Sequence, residues 1–322
     1  RLISLLLCAL LIVPALAEDA PDFEPIPWDI KVSPNLPNPD CYLPNNGGYH
    51  DDSIDIQINV TYWTQDLQQV DAPGEGTTTV MSARVKLTDV SQFRTGFANK
   101  YPSKQARHVN DMTKRFNAVM GIDGDYCLYH EQGIVVRNGQ TLRMRPHKGR
   151  DELIVDENGD FHLITCTTQS KWDEYIAGGG TVLHAFCFGP ALVVDGVPLT
   201  SLDDVTIDNG KAKKAQRMVI GQIGKLEYLI LMNEGPESTA PKSVGFDLVQ
   251  MANLCVQFGL DNAYNLDGGS SSTIALNNQK INSPSSHKNR MVGDCIWFAT
   301  LVKEETWREK ESVQTVEVEE NR

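Results

Sequence analysis

The run Tyr264-Asn265-Leu266-Asp267-Gly268-Gly269-Ser270-Ser271-Ser272-Thr273 sets one carboxylate, two glycines and four hydroxyl residues side by side. An apolar approach brings Asp267 to a point where the backbone is free to turn. Gly268 and Gly269 carry no Cβ and let a ligand come close. Successive N–H groups in such a turn form a concavity suited to an anion. The combination fits chemistry on an anionic, oxygen-rich substrate. The other reading is a tight turn whose Asp caps backbone N–H groups.

The elements that must hold Asp267 are contained in residues 217–276. Leu226 to Met232 is a continuous apolar run, suited to a central strand. From Phe246 to Phe258, the residues Leu248, Met251, Ala252, Cys255 and Phe258 share one helical face, and Gly259 is a natural stop. Ala263 to Leu266 is a second short strand. Strand, helix and strand of this length predict a right-handed crossover joining parallel strands. Glu234 then lies just past the carboxyl end of the first strand and Asp267 just past that of the second. Both acids face one sheet edge, where open α/β sheets bind ligands.

The rest of the chain reads as short strands around this unit. Arg1 to Val13 followed by Ala15-Leu16-Ala17 has the form of a secretory signal peptide over residues 1–17, too short to span a bilayer comfortably. A Pro/Asn-rich extended leader occupies 18–52. Regular structure is expected from Ser53, where Ile54, Ile56, Ile58 and Val60 alternate with polar residues. A second strand spans Thr78 to Leu87, and a polar helix about Ser103 to Arg115. Short strands follow at 118–122, 133–136, 153–155, 161–165 and 190–194, with hairpin signals at Asn138-Gly139 and Asn158-Gly159. The expected fold is α+β: a single domain over 53–301 with mixed β-sheets and packed helices, including the crossover near the site. Residues 302–322 form a charged tail.

Composition narrows the partners. The formal charge is −13, so the chain has no general attraction for nucleic acid or anionic lipid. Any anion must be held locally, which draws attention to arginines near the acidic motifs. No second apolar run suggests a transmembrane segment after signal cleavage, and a secreted protein is expected. Cys41, Cys127, Cys166, Cys187, Cys255 and Cys295 would survive cleavage, an even count that permits disulfides without assigning pairs. No C-x-x-C occurs, which argues against a structural zinc site. The scattered histidines show no H-E-x-x-H spacing, although His287 sits near Arg290. The G-x-S-x-G of an α/β-hydrolase elbow is absent.

From about Ser53 to Leu301 the chain resembles the phosphodiester glycosidase family. Asn265-Leu266-Asp267-Gly268-Gly269 with its hydroxyl run matches that family's most specific motif. Ile122-Asp123-Gly124-Asp125-Tyr126 is similar to an earlier motif in which the family usually has Asn at the position of Asp123. Arg217-Met218-Val219-Ile220-Gly221, Ser243-Val244-Gly245-Phe246-Asp247-Leu248 and Arg290-Met291-Val292 resemble three further blocks. Ser270 stands where a glycine is frequent, and Asn233-Glu234-Gly235 where an Asp-Gly pair is common.

The resemblance implies hydrolysis of the bond between an anomeric carbon and a phosphodiester oxygen, on a substrate such as an N-acetylglucosamine-1-phosphodiester or a phosphorylated glycan. Phosphate is a good leaving group, so the site mainly has to steady an oxocarbenium-like centre, deliver water or a nucleophile and offset phosphate charge. Asp267 is the candidate nucleophile or general base, and Glu234 the second catalytic carboxylate. Asp123 and Asp125, on either side of Gly124, would bind sugar hydroxyls or a calcium ion, or simply build a turn. Arg217 and Arg290 are the candidates for phosphate, which a guanidinium grips with two donors. Gly268, Gly269, Ser271 and Ser272 complete the expected binding set. No cofactor is required by these residues, and calcium is the one metal they suggest. The alternative is a non-catalytic module that binds exopolysaccharide or cell-surface glycan in the same cleft.

Overall fold

The computed structural model describes residues 23–203, 213–236, 238, 242–283 and 290–308. The expected signal segment, His287 and the tail beyond residue 308 lie outside the described residues. Among the described residues no helix is long and apolar enough to cross a membrane.

Three antiparallel sheets surround one main core. In the ten-stranded first sheet the path runs from Tyr42–Leu43 and Gly48–His50 at one edge through Ile54–Trp63, Thr78–Leu87, Glu227–Asn233, Arg217–Gly224, Asn262–Asn265 and Ala191–Val194 to Val197–Pro198. The first two strands belong to the expected leader, so regular structure begins before Ser53, and Tyr49 is fully buried. Continuous apolar runs form where both sheet faces are covered. In Glu227–Asn233, Tyr228, Ile230 and Met232 point into the main core. Leu229 and Leu231 point the other way and pack with Leu248, Met251, Ala252 and Cys255 of the helix Leu248–Gln257. Asp247 and Gln250 close a capping box at the start of that helix, and Gly259, at φ +79, follows its end.

The α+β class is borne out, with one refinement of the crossover. Glu227–Asn233 and Asn262–Asn265 do run parallel, but they are not neighbours. Arg217–Gly224 lies between them and pairs antiparallel with both. A hairpin return had already taken the adjacent place. Both acids still emerge at one edge, now flanking the start of the intervening strand.

The third sheet supplies the other half of the site. Its order is Gln279–Lys280, Ile274–Leu276, Met120–Asp123, Asp294–Phe298 and Phe93–Phe97. The second sheet holds Phe161–Ile164, Glu152–Val155, His184–Phe186, Gly133–Arg137 and Gln140–Arg145. The polar helix begins later than expected, at Val109–Phe116. A further helix, Gln169–Ala177, was not expected from the pattern. It is capped by Thr168 and anchored chiefly by the buried Trp172. All six cysteines named above are free thiols.

Candidate active site

Asp267 sits where the chain passes from the first sheet to the third. Leu266 N donates to Met218 O at 2.8 Å, the last ladder bond on the first sheet. Asp267 N then donates to Gly124 O at 3.1 Å. A single 3-10 turn, Gly269–Ser271, follows before Ile274–Leu276 pairs with Met120–Asp123. Both positions favour glycine. Gly269 has φ +61, and a Cβ on Gly268 would stand 3.0 Å from Gln216 O. Gly269 N donates to the same Gln216 carbonyl at 2.9 Å.

Asp123 ends the neighbouring strand of the third sheet and is fully buried. Its Oδ1 accepts from Thr273 N at 2.8 Å, while its Oδ2 has no protein partner. Burial pushes the Asp123 carboxyl well up, and the nearby charge of Asp267 pushes it further. Asp267 is also raised by burial, to about 6. Ser271, the charge of Arg290 and the Gly268 N–H oppose that rise. Ser271 Oγ therefore lies close to Asp267, yet it makes no hydrogen bond of normal geometry. The two acids are raised in different surroundings: Asp123 by burial and the charge of Asp267, and Asp267 by burial opposed by Ser271, Arg290 and the Gly268 N–H. Such a difference in surroundings marks acid and base roles when two titratable groups share a site.

Glu234 is buried past the end of Glu227–Asn233 and is held on three sides. Gln216 Nε2 donates to its Oε2 at 2.8 Å and Ser238 Oγ to the same oxygen, while Ser283 N donates to Oε1 at 2.8 Å. Lys280 links the acids electrostatically. Burial lowers its pKa, and both Asp123 and Glu234 act against that. Lys280, Gln216, Ser238 and Ser283 were not anticipated. The only available signal was the hairpin turn Asn277-Asn278, which folds Lys280 back beside the strand of Asp123.

The other expected residues separate into two groups. Arg290 is exposed, lies 5.0 Å over the Tyr126 ring and acts on Asp267 through its charge. Ser271 and Ser272 are buried, with hydroxyls that have no protein partner. Arg217 instead packs beneath Gly268, and its guanidinium donates to Lys213 O at 2.6 Å and Phe246 O at 3.4 Å. Asp125 is fully buried in an ion pair with Arg137 at 2.8 Å, and also accepts from Cys187 N at 2.8 Å and Cys127 N at 3.2 Å. In this arrangement it holds the floor of the site. A side chain on Gly124 would collide with Asp294, which shares Arg137 at 3.2 Å.

Asp125, Cys127 and Asp294 come close enough together to hold a metal. The Arg137 guanidinium already reaches all three, at 2.8, 3.7 and 3.2 Å. A cationic side chain in that position does not fit a calcium ion. A cleft of about 560 Å³ against the helix Gln169–Ala177 is lined by none of the candidate site residues.

The fold resembles two solved structures. One is the catalytic domain of zebrafish N-acetylglucosamine-1-phosphodiester α-N-acetylglucosaminidase, auto-inhibited by its pro-peptide, at 14% identity and a TM-score of 0.59, covering 77% of this chain and 84% of that one. The other is a hypothetical protein from Synechocystis, at 14% identity and a TM-score of 0.51, covering 76% of this chain and 62% of that one. No curated protein matches the chain. The family model for phosphodiester glycosidase matches residues 116–299, more than half of the chain and all of the seam that holds Asp123, Glu234 and Asp267, and the chain belongs to that family.

Proposed function

We propose that this protein is an exported hydrolase that cleaves the glycosidic bond of a sugar-1-phosphodiester. One observation carries the reading: two buried carboxyls, both pushed up by burial, share the seam beside buried polar atoms that have no protein partner. Asp123 Oδ2, Gln216 Oε1, Ser271 Oγ and Ser272 Oγ are all buried without a protein partner. Each such group costs about 1–3 kcal/mol if left unsatisfied. Such groups on the segments that carry Asp267 and Asp123, or bonded to Glu234, suit a ligand rich in oxygen.

The ionised Asp267 acts as nucleophile or as base toward water at the anomeric carbon. The bond from that carbon to the phosphodiester oxygen breaks, and its electron pair leaves with the phosphate. Arg290 offsets the phosphate charge from the open side. Neutral Asp123 offers an O–H donor. The family usually has Asn at this position, a neutral group of nearly the same shape. Burial therefore keeps Asp123 in the form that imitates the amide. Glu234, fixed by Gln216, Ser238 and Ser283, is placed to bind sugar hydroxyls or to serve as the second catalytic carboxylate.

Product analysis tests the reading. With a panel of sugar-1-phosphodiesters that includes N-acetylglucosamine, the expected products are free sugar and a phosphate monoester, and D267N should release both at least about 100-fold more slowly. Sugar-1-phosphate as product would mean cleavage at phosphorus and would overturn it. Binding without turnover across the panel would favour a glycan-binding module.

A further inference from the structure

A groove beside the loop that follows Asp123 collects positive charge in an acidic protein. It measures about 620 Å³, and its walls include Tyr101, Lys104, Tyr129, His130, Arg143 and Arg145. Residues 101–150 hold nine Lys and Arg against four Asp and Glu, in a chain of formal charge −13. Two of those four acids, Asp123 and Asp125, are buried together with the cation Arg137, while Glu131 is exposed and lines the groove beside Lys104, Arg143 and Arg145. The local field therefore opposes that of the molecule as a whole, and a cleft concentrates it.

The cations of this groove have different duties. Arg143 is committed to the fold, donating to the carbonyls of Gly133, Cys127, His130 and Gln132 at 3.1, 2.8, 2.5 and 2.8 Å. It fixes residues 127–133 as a wall. Tyr129 Oη donates to Lys104 O at 3.2 Å and ties that wall to the opposite one. Lys104 and Arg145 line the groove from exposed positions. The groove lies next to the seam, joined to it by packed side chains. Tyr129 stacks on Tyr126 with ring centroids 4.5 Å apart, and Tyr126 lies under Arg290, the cation whose charge acts on Asp267.

We propose that this groove binds the part of the substrate beyond the scissile phosphate, and that this part is an acidic glycan, a chain of sugar rings bearing repeated carboxylates. The inference rests on the sugar-phosphodiester reading above. Sugar rings present apolar faces to Tyr101 and Tyr129. Carboxylates spaced along a chain match Lys104 and Arg145, two exposed cations that both line the groove.

The test uses the charge-reversed double variant K104E/R145E and two N-acetylglucosamine-1-phosphodiesters, one carrying a tetraglucuronate and one a neutral glucan of the same length. The wild type should favour the acidic aglycone by about tenfold or more in kcat/KM at low salt, and the preference should shrink as salt screens it. In the double variant the ratio should fall to one or below. Equal rates on both substrates in the wild type, or an unchanged ratio in the variant, would overturn the groove assignment and leave the hydrolase reading standing. Should neither substrate turn over, the hydrolase reading fails, and calorimetric titration with free tetraglucuronate decides the groove by itself. Binding that is lost in K104E/R145E supports the assignment, and no binding by the wild type defeats it.

Discussion

Asp123 and Asp125 are two residues apart and equally buried, yet their surroundings assign them opposite work. Asp125 meets the Arg137 guanidinium and two backbone N–H groups, and its carboxyl is held low. Asp294, sharing that one guanidinium, is pushed up by burial and by Asp125. Among the described residues Asp123 makes no ion pair; it accepts from the Thr273 N–H and is pushed well up by burial and the charge of Asp267. A buried acid matched to a cation is structure. A buried acid left without one changes its protonation state and becomes available for proton chemistry.

The contrast can be broken first at Asp267. D267N should lower kcat by about 100- to 10,000-fold, the usual range for loss of a general base, as read by sugar release. Its stability should move the other way. The folded pKa of about 6 lies above the ordinary 3.8, so Asp267 favours the folded state fully only below about pH 4. That contribution is lost as pH rises through about 6. D267N should therefore gain on the wild type in unfolding free energy, followed by denaturant unfolding, between pH 4 and 7, by on the order of 1–3 kcal/mol. A variant that loses stability across this range would contradict the buried, poised state of Asp267. The same titration places the acid limb of the wild-type kcat/KM profile near pH 6.

On the structural side, R137M removes the only cation that ion-pairs with Asp125 and Asp294 among the described residues. Denaturant unfolding should show a loss of about 3–5 kcal/mol, as expected when a buried charge is left uncompensated. A smaller effect follows at Asp123. D123N keeps a neutral polar group of the same shape and should retain activity within a few-fold, whereas D123L should lose about tenfold or more. Equal losses in the two would show that an ionised Asp123 is needed. The smallest effect belongs to metal. Chelation should leave turnover unchanged, because Arg137 already serves the acids that a cation would need, and restoration of chelated activity by calcium would refute that view.

The sequence motifs led to the seam but did not assign its parts. The Asp267-Gly268-Gly269 turn was legible because glycine most easily accepts a carbonyl so near and a positive φ. The crossover helix was legible from its apolar face. Arg217 and Arg290 looked alike as candidate phosphate ligands. One now packs against backbone carbonyls beneath the turn and the other stands over Tyr126. Asp125 looked like a partner for Asp123, because nothing near it in the chain announces Arg137. Lys280 passed unnoticed because its partners, Asp123 and Glu234, are distant in the chain.

By itself the sequence determined the family, the α+β class and the acid that ends in a glycine turn. Those features are local: apolar periodicity, backbone freedom and residue type act within a few positions. Which acid is paired with a cation, which arginine stands exposed and which cations line a groove were decided only by tertiary structure. Electrostatic state depends on burial and on charges brought near from distant strands, and neither can be read along a chain.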